Sequence, residues 1–171
     1  ESTIPEEEIE AWEYEGLNQD WHDHFTLAEA IKWRDAGFDD PNKAGEWNAF
    51  GNFTAEEAYD WYRNGFTEEK AKEWVDLKID VGVAKAWIDA GFPTAEDASE
   101  WKKVIDDPAI ANEWFMADFD AKTAKEYIDE GITIEQAKAW SDAGFTQLEQ
   151  VKNYIDLEFT SDVADSWKSA G

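Results

Sequence analysis

Apolar and polar residues follow one another along this chain in a unit of 13 or 14 residues, which residues 53–66 show most clearly. Within this unit Ala58, Trp61 and Tyr62 are separated by three residues and by one. That spacing places the three side chains on one side of an α-helix. Since an isolated helix needs roughly 12 to 15 residues to be even marginally stable in water, this short helix must pack against a neighbour.

Polar residues and a glycine mark both ends of the predicted helix. Thr54 and Glu57 have the spacing of a capping box, in which each side chain accepts a hydrogen bond from the other residue's backbone amide. Gly65 is suited to close the last turn in the left-handed conformation, and Phe66 to fold its ring back onto the helix. The segment therefore predicts a helix followed by a tight turn.

One aromatic residue in each unit, the ring residue, shows that the unit is repeated. The ring residues are Trp12, Trp33, Trp47, Trp61, Trp74, Trp87, Trp101, Trp114, Tyr127, Trp140, Tyr154 and Trp167. After Trp33 each follows the previous one by 13 or 14 residues. A fixed period of this kind is typical of a tandem repeat, in which each unit buries its apolar face against its neighbours.

Three further positions recur in phase with the ring residue. Three residues before it lie Ala30, Ala44, Ala58, Ala71, Ala84, Ala98, Ala111, Ala124, Ala137 and Ala164, while Ile9 and Val151 occupy this position in the other two units. Four residues after it lie the stop glycines Gly16, Gly37, Gly51, Gly65, Gly91, Gly131, Gly144 and Gly171. Seven residues before it lie the cap residues Thr26, Asp40, Thr54, Thr67, Asp80, Thr94, Asp107, Asp120, Thr133 and Thr160. Small residues allow close helix contact, and the caps and stops predict where each helix begins and ends.

Other positions predict which side of each helix is buried. We expect the mostly apolar residues three after the ring to face inward, namely Ala36, Leu77, Ala90, Val104, Ala117, Ala143, Leu157 and Ala170. Five units carry a lysine two before the ring and an aspartate two after it, a spacing typical of a solvated surface pair. These pairs are Lys72 with Asp76, Lys85 with Asp89, Lys125 with Asp129, Lys138 with Asp142 and Lys152 with Asp156. Four units replace the stop glycine, with Lys78, Ile105, Asp118 and Glu158, and we expect their turns to be stiffer or reoriented.

Together these patterns predict an all-α fold, an α-solenoid or superhelix of about twelve short helix-turn repeats. We expect residues 1–171 to form a single array, with an N-terminal capping unit at 5–17, an insert at 18–24 and eleven repeats at 25–171. The glutamate-rich first unit is typical of a capping repeat with a wet outer face. Because the chain opens without methionine and ends on a stop glycine, we expect it to be a piece of a longer protein.

The insert at 18–24 is where the chain departs from the repeat. It contains both histidines, His22 and His24, together with Asp20 and Asp23, and these four are the candidate metal ligands. Zinc sites usually show paired ligand spacings that the insert lacks. The favoured interpretation is that Trp21 closes one end of the core while the histidines are solvated loop residues.

Charge narrows the possible partners. With 15 basic and 41 acidic residues the net charge is −26, which repels nucleic-acid phosphate and favours basic protein partners. The chain has no cysteine, no phosphate-binding glycine loop and no nucleophile motif, so neither an enzyme nor a cofactor is predicted. No apolar stretch is long enough to cross a membrane, and the composition is typical of a soluble chain.

We therefore predict a non-catalytic scaffold or spacer that binds a protein partner through an acidic surface. Two alternatives remain: an acidic mimic of nucleic acid that inhibits a DNA- or RNA-binding protein, and a surface array that binds cations. The sequence does not indicate the oligomeric state or the cellular compartment.

Overall fold

A computed structural model describes residues 3–156, 166 and 168–169 of the chain. Within these residues the fold is all-helical, with no strand, which confirms the predicted fold class. A 3-10 helix at Glu6–Glu8 precedes twelve α-helices within the same residues: α1 Ile9–Tyr14, α2 Gln19–His22, α3 Leu27–Ala36, α4 Pro41–Phe50, α5 Ala55–Arg63, α6 Glu68–Asp76, α7 Val81–Asp89, α8 Ala95–Lys102, α9 Pro108–Met116, α10 Ala121–Asp129, α11 Ile134–Asp142 and α12 Leu148–Asp156.

Side-chain caps begin most of these helices at the predicted residues. At α5 the Thr54 hydroxyl accepts a hydrogen bond from the Glu57 amide at 3.2 Å, and the Glu57 carboxylate accepts one from the Thr54 amide at 2.9 Å. The side chains that accept from first-turn amides are Thr26, Asp40, Thr54, Thr67, Asp80, Thr94, Asp107, Asp120 and Thr133. The tenth predicted cap, Thr160, lies outside the described residues.

A Schellman turn ends α5, as its glycine predicts. The Phe66 amide donates to the Trp61 carbonyl at 3.2 Å, and the Gly65 amide donates to the Tyr62 carbonyl at 2.9 Å. Gly65 has a φ of +87°, and the Phe66 ring lies 4.8 Å from the Trp61 ring. Seven other residues after a turn donate in the same way to the carbonyl of the preceding ring residue: Leu17, Phe38, Ile79, Phe92, Phe119, Ile132 and Phe145.

The residues at the position of the stop glycine in other repeats adopt two different backbone conformations. Lys78 and Asp118 adopt the left-handed conformation that glycine has elsewhere, with φ of +61° and +65°. Ile105 does not, so its assignment as a replacement for the stop glycine was wrong. Its unit has a shorter turn, and Ile105 instead occupies the buried position after the turn that phenylalanine holds in other units. Glu158, Leu157, Ala164, Trp167, Ala170 and Gly171 lie outside the described residues.

Three positions of the repeat supply most of the core among the described residues. The ring residues from Trp12 to Trp140 are buried, and Tyr154 is half-buried. The alanines three residues before them, from Ala30 to Ala137, have no solvent exposure at all. The third member is the large apolar residue after the turn, such as Phe66.

The residues three after the ring were expected to face inward, and this expectation was wrong. Most are only half-buried, and the Leu77 side chain is 43% exposed. The cause lies in the Schellman turn, because this position falls at the end of the last helical turn, where the chain is already bending away. The residue after the turn then covers the core in its place.

Helices also contact helices two positions along the chain. The Tyr62 ring of α5 stacks at 5.1 Å on Phe38, which follows α3. The Phe115 ring of α9 lies 5.6 Å from Phe92, which follows α7. In both pairs the residue directly after a ring residue contacts the phenylalanine that follows the helix two positions earlier. These contacts connect repeats beyond nearest neighbours.

The chain divides into two compact units, residues 1–85 and residues 86–171. Among the described residues no helix is both long enough and apolar enough to cross a membrane.

Candidate functional site

The insert at 18–24 is partly helical and was expected to be a loop. Residues Gln19–His22 form α2, which begins after the extended residue Asn18. The Trp21 side chain is only 6% exposed, and its ring lies 5.9 Å from the Phe25 ring. Burying this indole favours one helical turn here, because the turn satisfies the backbone groups nearby.

His22 packs against the first repeat. Its imidazole is half-buried and meets the Trp12 ring edge-on, with ring centroids 5.3 Å apart. The Gln19 amide nitrogen lies 3.3 Å from His22 Nδ1 and donates to the Asp23 carboxylate at 2.7 Å. The same glutamine side chain accepts from the Ile4 amide at 3.1 Å, so α2 also holds the N-terminal segment.

His24 contacts a different helix. Its Nε2 lies 3.0 Å from the Asn42 side-chain oxygen on α4. The ring also sits directly over Gly45 of α4, where a Cβ atom would come within 2.6 Å of His24 Nδ1. Gly45 is therefore a packing glycine, and a larger residue would displace the histidine.

The four candidate ligands do not converge on one point. His22 faces α1, His24 faces α4, Asp23 pairs with Gln19, and Asp20 accepts from the Asn18 side-chain Nδ2 at 3.0 Å. Across the described residues no group of three or more histidine, cysteine, aspartate or glutamate side chains could hold a metal ion. The contacts of the insert join α1, α2 and α4, which is a packing role.

The charged groups lie at the surface of the helices. Within the described residues no charged side chain is buried. The predicted lysine–aspartate pairs are formed at Lys72–Asp76, at Lys125–Asp129 with 3.0 Å, and at Lys138–Asp142 with 3.5 Å. The predicted Lys152–Asp156 pair was wrong in its partner, because Lys152 reaches the Glu130 carboxylate, two repeats earlier in the chain, at 2.9 Å.

Two of these surface carboxylates have a lowered pKa. The pKa of the Asp120 carboxyl is lowered mainly because it accepts the Thr123 amide hydrogen bond at 2.7 Å. The pKa of Glu29 is lowered because its carboxylate accepts from the Thr26 amide at 3.0 Å and from the Thr26 hydroxyl at 2.8 Å. Both groups begin helices, so these shifts reflect capping.

A surface groove within residues 86–171 was not predicted from the sequence. It has a volume of about 440 Å³ and lies between the end of α9 and the first turns of α11, with the lining residues Glu113, Met116, Ala117, Ile134, Glu135 and Lys138. The Met116 side chain is 72% exposed. The signal that could have revealed it is positional, since Met116 occupies the place two residues after the ring where six other repeats carry aspartate.

No protein-family model, curated protein or solved structure matches this chain. Its function is therefore inferred from its own residues.

Proposed function

We propose that this chain is a non-catalytic helical-repeat scaffold or spacer that binds a basic protein partner through its acidic surface. The observation that carries the proposal is the placement of charge. The chain has a net charge of −26, and none of the charged side chains among the described residues is buried. A regular helical array uses its core for packing alone and leaves its outer surface free for recognition.

The electrostatics support a basic partner. A surface with this excess of carboxylates attracts cations over a Debye length of about 8 Å at physiological salt and accelerates encounter with a basic surface. Attraction of this kind alone is weak and sensitive to salt, so a specific partner must add shape complementarity. A stable complex at physiological ionic strength is therefore the property to measure.

The experiment is affinity isolation with the intact chain as bait, using extract from its own source at about 0.15 M salt. The isolated protein is then purified and titrated against the chain. We expect a basic protein that forms a stoichiometric complex, with affinity that falls as salt rises but persists at 0.15 M. A matched bait with the same composition in scrambled order separates this complex from capture by charge alone.

Competition with nucleic acid distinguishes the main alternative. If duplex DNA or RNA displaced the partner at physiological salt, the chain would be a nucleic-acid mimic and the scaffold proposal would fail. If the scrambled bait captured the same protein equally well, the folded array would have no specific role in binding.

A further inference from the structure

We propose that the groove between α9 and α11 is a docking site for a basic segment of a partner protein that inserts one apolar side chain between flanking lysine or arginine residues. This inference rests on the proposed function and deepens it by naming the surface and the chemistry of its partner. It concerns only residues of the second unit, 86–171.

The first argument is the local loss of the repeat's own surface pattern. Where five units carry a lysine two before the ring and an aspartate two after it, the unit of Trp114 carries Asn112 and Met116. Glu113 is the single charged residue of α9. An exposed methionine gives no advantage to an isolated soluble helix, whereas its flexible thioether suits an apolar contact with a ligand.

The second argument is the shape and lining of the groove. Met116, Ala117 and Ile134 provide apolar surface, and the exposed carboxylates Glu113 and Glu135 line the same groove. The one lining cation, Lys138, is paired with Asp142 at 3.5 Å, which offsets its charge. A groove lined by apolar side chains and carboxylates is complementary to an apolar side chain flanked by cations.

The third argument concerns which occupant fits. A second copy of this chain would bring another net charge of −26 to the groove, and this repulsion opposes self-association. A basic segment reduces the same repulsion while it covers the methionine. The groove volume of about 440 Å³ is large enough for one bulky side chain, so a single anchor residue is expected.

The test uses the whole chain and two short synthetic peptides. In each peptide two lysines precede the central residue and two follow it. The central residue is phenylalanine in one peptide and serine in the other. Affinity is measured for every variant at about 0.15 M salt by isothermal titration calorimetry, and in the wild type the methyl NMR signal of Met116, the single methionine of the chain, reports contact at the groove. We expect the phenylalanine peptide to shift this signal and to bind about tenfold more tightly than the serine peptide.

Met116→Asp introduces the aspartate that six other repeats carry at this position and supplies the decisive variant. Charge alone predicts tighter binding of both peptides, because the variant adds a negative charge, whereas a docking groove predicts that the preference for phenylalanine falls to about twofold or less. Leu77→Asp is the matched control, because it adds the same charge at an exposed apolar residue outside the groove, within residues 1–85. It should leave the preference intact. Circular dichroism verifies that both variants fold.

The outcomes separate the two proposals. If both peptides bind but show no preference, or if Met116→Asp leaves the preference unchanged, the groove is not a docking site and the proposed acidic binding surface still stands. If neither peptide binds the wild-type chain, the groove proposal fails and the electrostatic support for the proposed function fails with it.

Discussion

Left-handed glycines and side-chain caps determine the length of each helix at the scale of single residues. Gly65 illustrates the first: its φ is +87°, and a Cβ atom placed on it would contact nothing within 4 Å. A substitution there therefore tests backbone conformation without a steric clash. Gly82, within α7, lacks the left-handed conformation and is the natural comparison.

We predict that Gly65→Ala lowers the free energy of unfolding by about 1 kcal/mol, because alanine disfavours the left-handed conformation. Gly82→Ala should be neutral or stabilising by a similar amount, since alanine is the better helix former. Urea denaturation followed by circular dichroism measures both. Equal effects at the two positions would show that helix ends do not explain the glycine pattern.

The capping carboxylates predict how stability depends on pH. The pKa of Asp120 is lowered in the folded state by the Thr123 amide, so its charged form stabilises the fold above the ordinary aspartate pKa. That contribution is lost as the pH falls through the lowered, folded-state pKa. We expect the stability difference between wild type and Asp120→Asn to shrink as the pH falls below the ordinary pKa.

A pH series of urea denaturation curves tests this, together with carbon NMR titration of the Asp120 carboxyl. The exposed Asp39 caps no helix, so Asp39→Asn is the matched control for removing a surface carboxylate. An Asp120 titration at or above the ordinary value would contradict the capping explanation.

At the scale of helices, ion pairs that join two repeats stabilise the fold, whereas ion pairs within one helix contribute little to its stability. Arg34 of α3 donates through Nη1 to the Glu15 carbonyl, and its Nη2 lies 3.1 Å from the Glu15 carboxylate. This fork ties α3 to the end of the first repeat. Arg63 of α5, in contrast, pairs at 2.9 Å with Asp60 of its own helix.

We predict that Arg34→Lys lowers the free energy of unfolding by about 1 kcal/mol, because an ammonium group cannot reproduce the two-point contact. Arg63→Lys should change it by less than about 0.5 kcal/mol, as expected for an exposed pair within a helix. Thermal and urea denaturation compare the two variants. A loss of the same size in both would mean that the Glu15 contact contributes nothing specific.

Repetition governs the behaviour of the whole molecule. Helices contact neighbours one and two positions along the chain, as in the packing of α3 with α5 and of α4 with α6. Stability in such arrays is approximately a sum over repeats and their interfaces. Removing repeats from one end should therefore leave the remaining ones folded.

We predict that a fragment ending at Phe119 stays helical and unfolds cooperatively, with lower stability than the full chain. Circular dichroism measures the helix content, and acrylamide quenching measures whether its indoles remain buried. A fully unfolded fragment would indicate that residues beyond 119 are required for any folding, as in one closed domain.

The sequence by itself determined where most helices begin and end, and that the ring residues and the alanines before them form the core. Thr54, Gly65 and Trp61 show why: a cap, a stop and a buried ring act through hydrogen bonds and spacings within one helix, so their roles can be inferred from local order. These signals recur in phase, and the all-helical fold followed from them.

Only the tertiary structure decided the features that depend on which residues of another helix lie nearby. The His24 ring over Gly45, and the choice of Glu130 as the partner of Lys152, each require knowing which helix packs nearby. The same holds for Gly37, where a Cβ atom would come within 2.4 Å of the Tyr59 ring. The Met116 groove also belongs here, because two helix ends from different repeats form it. Spacing along the chain predicts a helix face, but contacts between repeats depend on helix packing angles that no local pattern specifies.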